Sequence, residues 1–300
     1  VTTYHRGERA VQRRAGVLDR ADHTLRAVRT SVPDVAADFL ARQPVLFLGA
    51  ADDRGRLWGT ALAGEPGFLR VPDGRTVEVA ATPAAADPLA GVLAGPAAVG
   101  AIAVEPGTRR RMRVNGTARP RDGGLVVAVE QVVANCPKYI QQRVPERVPG
   151  AAEPRVTGRG VALTAAQQVW VRAADTFFVT TASDEGDVDT SHRGGNPGFV
   201  RVRSGTELEW PDYAGNAMFL TLGNLDVNPA AGLLFCDWAT GATLHVSGRA
   251  RVDWSADRAA DHPGAERVVL FTVTDVVEVA GLVPLRWGEP GYSRFNPPLG

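Results

Sequence analysis

PGFLRV at positions 66–71 returns as PGFVRV at 197–202, and RVNGTAR at 113–119 returns as HVSGRAR at 245–251. The first offset also lays Asp53-Arg54-Gly55 on Asp184-Glu185-Gly186 and the apolar run VLFLGA (45–50) on TFFVTT (176–181). The second offset, larger by one position, sets Gly100 on Gly232. Self-similarity that drifts by so little over such a length is the mark of a duplicated unit. The chain therefore reads as a helical segment (1–32), a first half (33–143), a linker (144–162) and a second half with its tail (163–300). The boundary stretch RVPERVPGAAEPRVTGRG (143–160) has the Pro and Gly content expected of a linker.

Inside each half, short apolar runs alternate with turn chemistry: DDRG (52–55), PDGR (72–75), SDEGD (183–187) and RSGT (203–206). DPLAGVLAG (87–95) and the stretch from Asn216 to Asn228 read as short helices between strands. Asn228-Pro229 would stop the second of these before the strand AAGLLFCDW (230–238). Closely spaced strands with few helices predict a mainly β fold, a barrel or sandwich repeated twice. Residues 6–29 read as one amphipathic helix, a surface or clasp element.

Composition removes several functions. Acidic and basic residues balance at 33 each, with no basic block, so a nucleic-acid partner is not expected. The cations are 32 Arg and one Lys, Lys138, which precedes Tyr139, so no Gly-Lys-Ser/Thr phosphate loop exists. Cys136 and Cys236 form no CxxC and the five histidines form no HExxH, so no metal centre is expected and both thiols read as reduced. The stretch VTTYHRGERAVQRRAG has no apolar core of a secretory signal, and no apolar run is long enough to span a membrane. A cytoplasmic protein without a membrane partner is the expectation.

Duplication supplies an internal control, because polar residues present in one half only are candidates for function. The second half carries SHRGGNPGF (191–199) where the first has TALAGEPGF (60–68), so Arg193 stands against Leu62 and Gly194-Gly195 against Ala63-Gly64. Further on, WPDYAGNAMFLTLGNLDVNP (210–229) stands against VAATPAAADPLAGVLAGPA (79–97), which has almost no side-chain donors. Arg193 offers a planar donor fork, its neighbouring glycines would admit a ligand to the backbone, and Asn216 near a helix start would add donors and a favourable dipole. Together these are the ingredients of an anion site; a surface ion pair is the plainer reading of the Arg alone.

The motifs SxRGG-PGF, WPDYxGN, TLGNLxxNPxxGLLF and xVxGRA resemble the pyridoxamine 5′-phosphate oxidase-like family, the FMN-binding split barrels. NCPKYIQ (135–141) is similar to a segment of that family's two-half branch. The resemblance spans most of residues 5–280. It implies tandem split β-barrels paired within one chain as a pseudo-dimer, with one FMN between them, held by Ser191, Arg193, Gly194, Gly195, Asn216, Thr221, Leu222, Gly223 and Asn224. Arg111 and Lys138 of the first half would complete that site, Arg111 falling where relatives place a flavin-contacting Gln from the partner barrel. Gly215 and Asn216 fall near the Ser and Lys that reach the flavin phosphate in the oxidases, so this chain departs from that pair. NCPKYIQ is expected to form a short capping helix with Asn135 as its N-cap. His192, Lys138 and Tyr139 are the candidates for catalysis.

The expected function is an FMN-dependent oxidoreductase acting on a small molecule, with NAD(P)H or oxygen as redox partner, as a monomeric pseudo-dimer or a homodimer. Deazaflavin or haem on the same fold, or a flavin carrier or sensor, are the alternatives.

Overall fold

A computed structural model describes residues 3–134 and 137–298; the expected N-cap Asn135 and the Cys136 thiol lie outside them. The first sheet contains β1 (Val28–Arg29), β2 (Val45–Ala51), β3 (Leu57–Ala63), β4 (Leu69–Arg70), β5 (Thr76–Val79), β6 (Ala97–Glu105), β7 (Arg110–Arg121) and β8 (Gly124–Ala134). Next come β9 (Pro145–Arg147) and β10 (Arg155–Gly160). The second sheet joins β10 to β11 (Thr176–Ala182), β12 (Val188–Gly194), β13 (Arg201–Val202), β14 (Glu207–Tyr213), β15 (Ala230–Cys236), β16 (Thr243–Asp253) and β17 (Ala265–Ala280). A ribbon pairs β9 with β18 (Leu285–Trp287). The helices are α1 (Arg6–Arg14), α2 (Leu18–Leu25), α3 (Asp34–Ala41), α4 (Ala165–Ala173), α5 (Leu220–Val227) and α6 (Ala256–Ala260).

The two sheets follow one path. The first runs β3-β2-β6-β7-β8-β5-β4 and the second β12-β11-β15-β16-β17-β14-β13. The fold is therefore mainly β: tandem split barrels forming a pseudo-dimer within one chain. Even the irregularities repeat. Pairing slips between Asn115 and Gly116 in β7, and between Ser247 and Gly248 in β16. A Cβ on Gly116 would run into the Ala128 carbonyl, and one on Gly248 into that of Thr272. The repeated VxG is thus a β-bulge whose glycine lets the long strand bend and the sheet close.

Each half has its own apolar core, and a third cluster fills the seam between them. On that seam Phe47 of β2 stacks on its repeat partner Phe178 of β11, ring centroids 3.6 Å apart. Gly100 and Gly232 mark where strands of opposite halves cross. An added Cβ on Gly100 would lie 2.5 Å from the Thr190 amide nitrogen, and one on Gly232 2.5 Å from the Leu57 carbonyl oxygen. Both glycines are there because backbone meets backbone across the pseudo-dyad.

Several local expectations are corrected. The single helix over 6–29 is two, α1 and α2, separated at Gly16, which takes φ 69°. Residues 87–95 form turns rather than a helix: the Asp87 carboxylate accepts the Leu89 N–H at 2.7 Å and the Thr60 hydroxyl, in competition with helical bonding. The helix expected from Asn216 begins only at Leu220. Lys138 and Tyr139 of NCPKYIQ form a turn with Tyr139 at φ 65° instead of a capping helix. Within the expected linker, β10 pairs with residues 276–280 of β17, covering an edge that β14 is too short to reach. No helix among the described residues is long and apolar enough to cross a membrane.

Candidate functional site

Between the halves, on the second-half side, lies a basic cavity of about 120 Å³. Successive side chains of a strand alternate between faces, so Arg111 and Arg113 of β7 share one face and turn toward β12 of the other half. Arg113 places Nη1 3.0 Å from Asp189 and Arg111 places Nη1 2.9 Å from His192 Nδ1. Strand β12 contributes His192 and Arg193, and the turn after β8 brings Lys138 and Tyr139. The opposite wall is the loop 214–217 and the start of α5. Among the lining residues four cations face one carboxylate, Asp212.

The start of α5 presents uncapped N–H groups to the cavity. Its N-cap, Phe219, sits in the left-handed region (φ 59°) and provides no side-chain cap, so the first N–H groups of the helix have no intrahelical partner. A bulky residue rarely holds that conformation unless its surroundings impose it. Here the buried Arg267 guanidinium lies between the Phe219 and Trp254 rings, 4.8 and 5.0 Å from their centroids, with Nε 3.4 Å from Asp212.

Burial pushes the Arg193 pKa down, while nearby Asp212 works to raise it. Arg193 donates to Ser191 Oγ at 2.6 Å and to the His192 carbonyl at 3.1 Å, which leaves much of its donor fork for a ligand. Asp212 is pushed up by burial, against the pull of Arg193 and Arg267. Burial foremost, then Arg111 and Arg193, hold His192 well below the usual imidazole value. Because an Arg can only donate, His192 Nδ1 is the acceptor and the ring proton sits on Nε2. In this arrangement His192 presents Nε2–H as a hydrogen-bond donor. The Tyr139 hydroxyl donates a hydrogen bond to the Ala214 carbonyl (3.2 Å), and its ring lies 5.1 Å from that of Tyr213, whose own hydroxyl is pushed up to about 12 by burial. Lys138 Nζ lies 5.7 Å from the Phe295 ring centroid.

Of the residues expected to hold a cofactor, Arg111, Lys138, Arg193, Gly194, Asn216, Thr221 and Leu222 line this cavity. Their surroundings differ, as do those of the remaining candidates. Ser191 is fully buried beneath the cavity, joined to Arg193 and to Thr221 Oγ1 (3.1 Å). Asn216 lies in the loop before α5 and its Oδ1 accepts the Met218 N–H at 3.1 Å, so it does not open the helix. Gly195 gives room to its own loop, since a Cβ there would meet the Phe199 ring at 2.6 Å, and Gly64 does the same for Phe68. The missing Cβ of Gly194 leaves room for the Tyr139 carbonyl of the other half. Gly223 is the point where α5 touches α1, its added Cβ 2.5 Å from Glu8 Cα. Asn224 joins His5 (2.9 Å) and Thr181 (3.0 Å) below that crossing. Arg113, Asp212 and Phe219 were not among the sequence candidates. Arg113 stands against His245 in the repeated VxG motif, so the same internal control contained it.

The corresponding place in the first half is closed. Leu62, at the register of Arg193, is 2% exposed within the first core, and Leu89 and Leu93, from the segment that stands against the loop and α5, are buried in the same core. His245 replaces Arg113 there, fully buried, its Nδ1 2.7 Å from the Gly59 carbonyl. A second cavity, about 250 Å³ and largely apolar, adjoins the basic one at His192; Phe47, Phe178, Trp238 and Trp287 are among its walls.

Fold and site together define a class: a tandem split-barrel protein with a basic cavity between its halves. Residues 163–274 match the model of the pyridoxamine 5′-phosphate oxidase family. The resemblance read from the motifs is shown over the half that carries Arg193 and α5. Among solved structures, the chain is similar to HupZ of Group A Streptococcus, at 13% identity over 37% of this chain and 90% of that one, TM-score 0.31. It is also similar to an FMN-binding protein of Syntrophomonas wolfei (8% identity, 38% and 82% covered, TM-score 0.29). A protein of the pyridoxinephosphate oxidase family from Clostridium acetobutylicum gives 14% identity, 35% and 78% covered, and a TM-score of 0.25. A search of curated proteins finds no match.

Proposed function

We propose that the protein is an FMN-dependent oxidoreductase with one flavin per chain. The observation that carries this reading is the one-sided cavity: Arg111, Arg113, Lys138, Arg193 and an uncapped helix start converge in the second half, while Leu62, Leu89 and Leu93 close the same place in the first. The donor set fits a phosphate, with Arg193 and the first N–H groups of α5 as its holders and Arg111 and Lys138 reaching in from the other half. When bound, FMN supplies the electron- and hydride-transfer chemistry; the protein supplies position and electrostatics. His192 would offer its Nε2–H as a donor to the ring system, and the adjoining apolar cavity offers aromatic walls to a flat substrate.

Purified protein should be yellow and release one FMN per chain on heating. Arg193→Ala should weaken FMN binding about tenfold to a hundredfold, as expected for losing a charged hydrogen-bond donor worth about 1.5–3 kcal/mol. The volume-conserving Leu62→Met should leave it unchanged. A colourless protein that ignores added FMN, or equal retention by both variants, would overturn the reading. Anaerobic reduction by NAD(P)H followed by reoxidation with oxygen separates an enzyme from a carrier.

A further inference from the structure

A third cavity, about 280 Å³, opens on the other side of the Arg113–Asp189 pair from the basic one. Its walls come from α1 (Glu8) and the residue before it (His5), from the bulged strands of the first half (Asn115, Glu130) and from the start of β12 (Asp187, Asp189). Its chemistry is the reverse of the basic cavity: the carboxylates of Glu130, Asp187 and Asp189 line it beside Glu8, whose carboxyl burial pushes up to about 8, with no Lys or Arg among the lining residues. His5 is kept below its ordinary pKa by burial, against the pull of Asn224 and nearby acids, and so adds no positive charge at neutral pH.

The duplication shows what this space lacks. Thr181 pairs with Asp189 as Ala50 pairs with Trp58, and Ser183 N–H meets the Asp187 carbonyl (2.9 Å) as Asp52 N–H meets that of Arg56 (2.9 Å). Asp187 and Asp189 therefore occupy the register positions of Arg56 and Trp58. In the first half that pair is a cation on an aromatic ring: the Arg56 guanidinium lies 5.4 Å from the Trp58 centroid and donates to Asp275 at 2.6 Å, and Trp58 Nε1 donates to Asp52 at 3.0 Å. In the second half the guanidinium and the indole are gone and two carboxylates stand instead. Gln131, opposite Asn115 across the strand pair, takes the place that Asp275 holds opposite Ser247.

A second observation points to a missing donor. Asn115, 9% exposed, gives its Nδ2 to Gln131 (3.0 Å) and Asp189 (3.2 Å), while its Oδ1 is buried with no partner among the described residues. A buried acceptor left unmet costs about 1–3 kcal/mol, so a ligand that supplies a donor gains from it. We propose that this cavity binds an organic cation, an ammonium or guanidinium carried on a small flat body, which restores in the second half the donor and ring that Arg56 and Trp58 supply in the first. Asp187, Asp189 and the Asn115 carbonyl oxygen receive its N–H groups.

The test is a calorimetric titration of the full chain with benzylamine and with benzyl alcohol, its neutral counterpart, in the presence and absence of added FMN. Saturable 1:1 binding of benzylamine is expected, at least tenfold tighter than the alcohol and present in both conditions, so the result stands apart from the flavin reading. Asp187→Arg, at an exposed position, places the first-half residue in the second half and should reduce benzylamine affinity more than tenfold. Absence of saturable binding, equal binding of the alcohol, or unchanged affinity in Asp187→Arg would overturn the proposal.

Discussion

The carboxyl of Glu8, 5% exposed, accepts the His5 N–H at 2.8 Å and closes the capping box of α1. Burial pushes it up to about 8, with Asp189 and Asp187 adding to the rise and the His5 N–H and Arg113 opposing it. A carboxyl whose folded pKa exceeds its unfolded value contributes stability that is complete below the unfolded value and lost as pH rises through the folded one. Unfolding free energy should therefore fall between about pH 4.5 and 8 relative to Glu8→Gln, which keeps the capping box but cannot ionise. The difference should be on the order of 1–3 kcal/mol, given 1.36 kcal/mol per pKa unit before solvent screening. Urea unfolding of both proteins at several pH values checks it; parallel pH profiles would count against a buried, protonated Glu8. At this same scale the site was partly legible. Arg193 and Arg111 could be read from the asymmetry of the repeat and the resemblance, because their partners are local or family-wide. The roles of Gly194 and Gly223 could not. What fills the space of their missing Cβ atoms is Tyr139 of the first half and Glu8 of the N-terminal helix, both remote in sequence from the glycines they meet.

Among the elements, α1 and α5 decide the shape of the site. They cross at Gly7 and Gly223, close enough that neither tolerates a Cβ without movement, and Gln12 donates to the Met218 carbonyl at 3.0 Å just before α5 begins. The N-terminal segment thus buttresses the loop and helix start that line the basic cavity. It then passes to the first half, where β1 pairs with β8. Gly223→Ala should push α1 away, lowering stability by about 1–3 kcal/mol as overpacked contacts do. Amides of α1 and of the start of α5 should then exchange faster with deuterium, while those of β7 and β16 remain protected. Uniform change across the chain would argue that the two helices are not coupled.

For the whole molecule, the seam joins the two cores and shapes the basic cavity. Arg111 and Arg113 belong to one half, Arg193 and α5 to the other, so the cavity exists only while the halves are joined. Phe47→Ala removes a 2% exposed ring from the stack on Phe178 and should cost about 3–5 kcal/mol in chemical denaturation. Because Phe47 also borders the apolar cavity beside His192, FMN retention should fall with stability in this variant. Loss of stability with full retention would place the flavin away from the seam.

The mainly β character, the recurring VxG and the pairing of two like halves were determined by the sequence itself, because duplication writes the same local patterns twice. So was the half in which the basic residue of β12 lies, since Arg193 stands at the register position that Leu62 holds in the first half. The tertiary structure alone decided that the Asn216 segment loops before its helix, that part of the supposed linker is strand, and that an acidic cavity lies behind the basic one. These depend on which backbone packs against which, and on the volume left where Trp58 and Arg56 have acidic counterparts. A single chain's spacing cannot encode such long-range contacts.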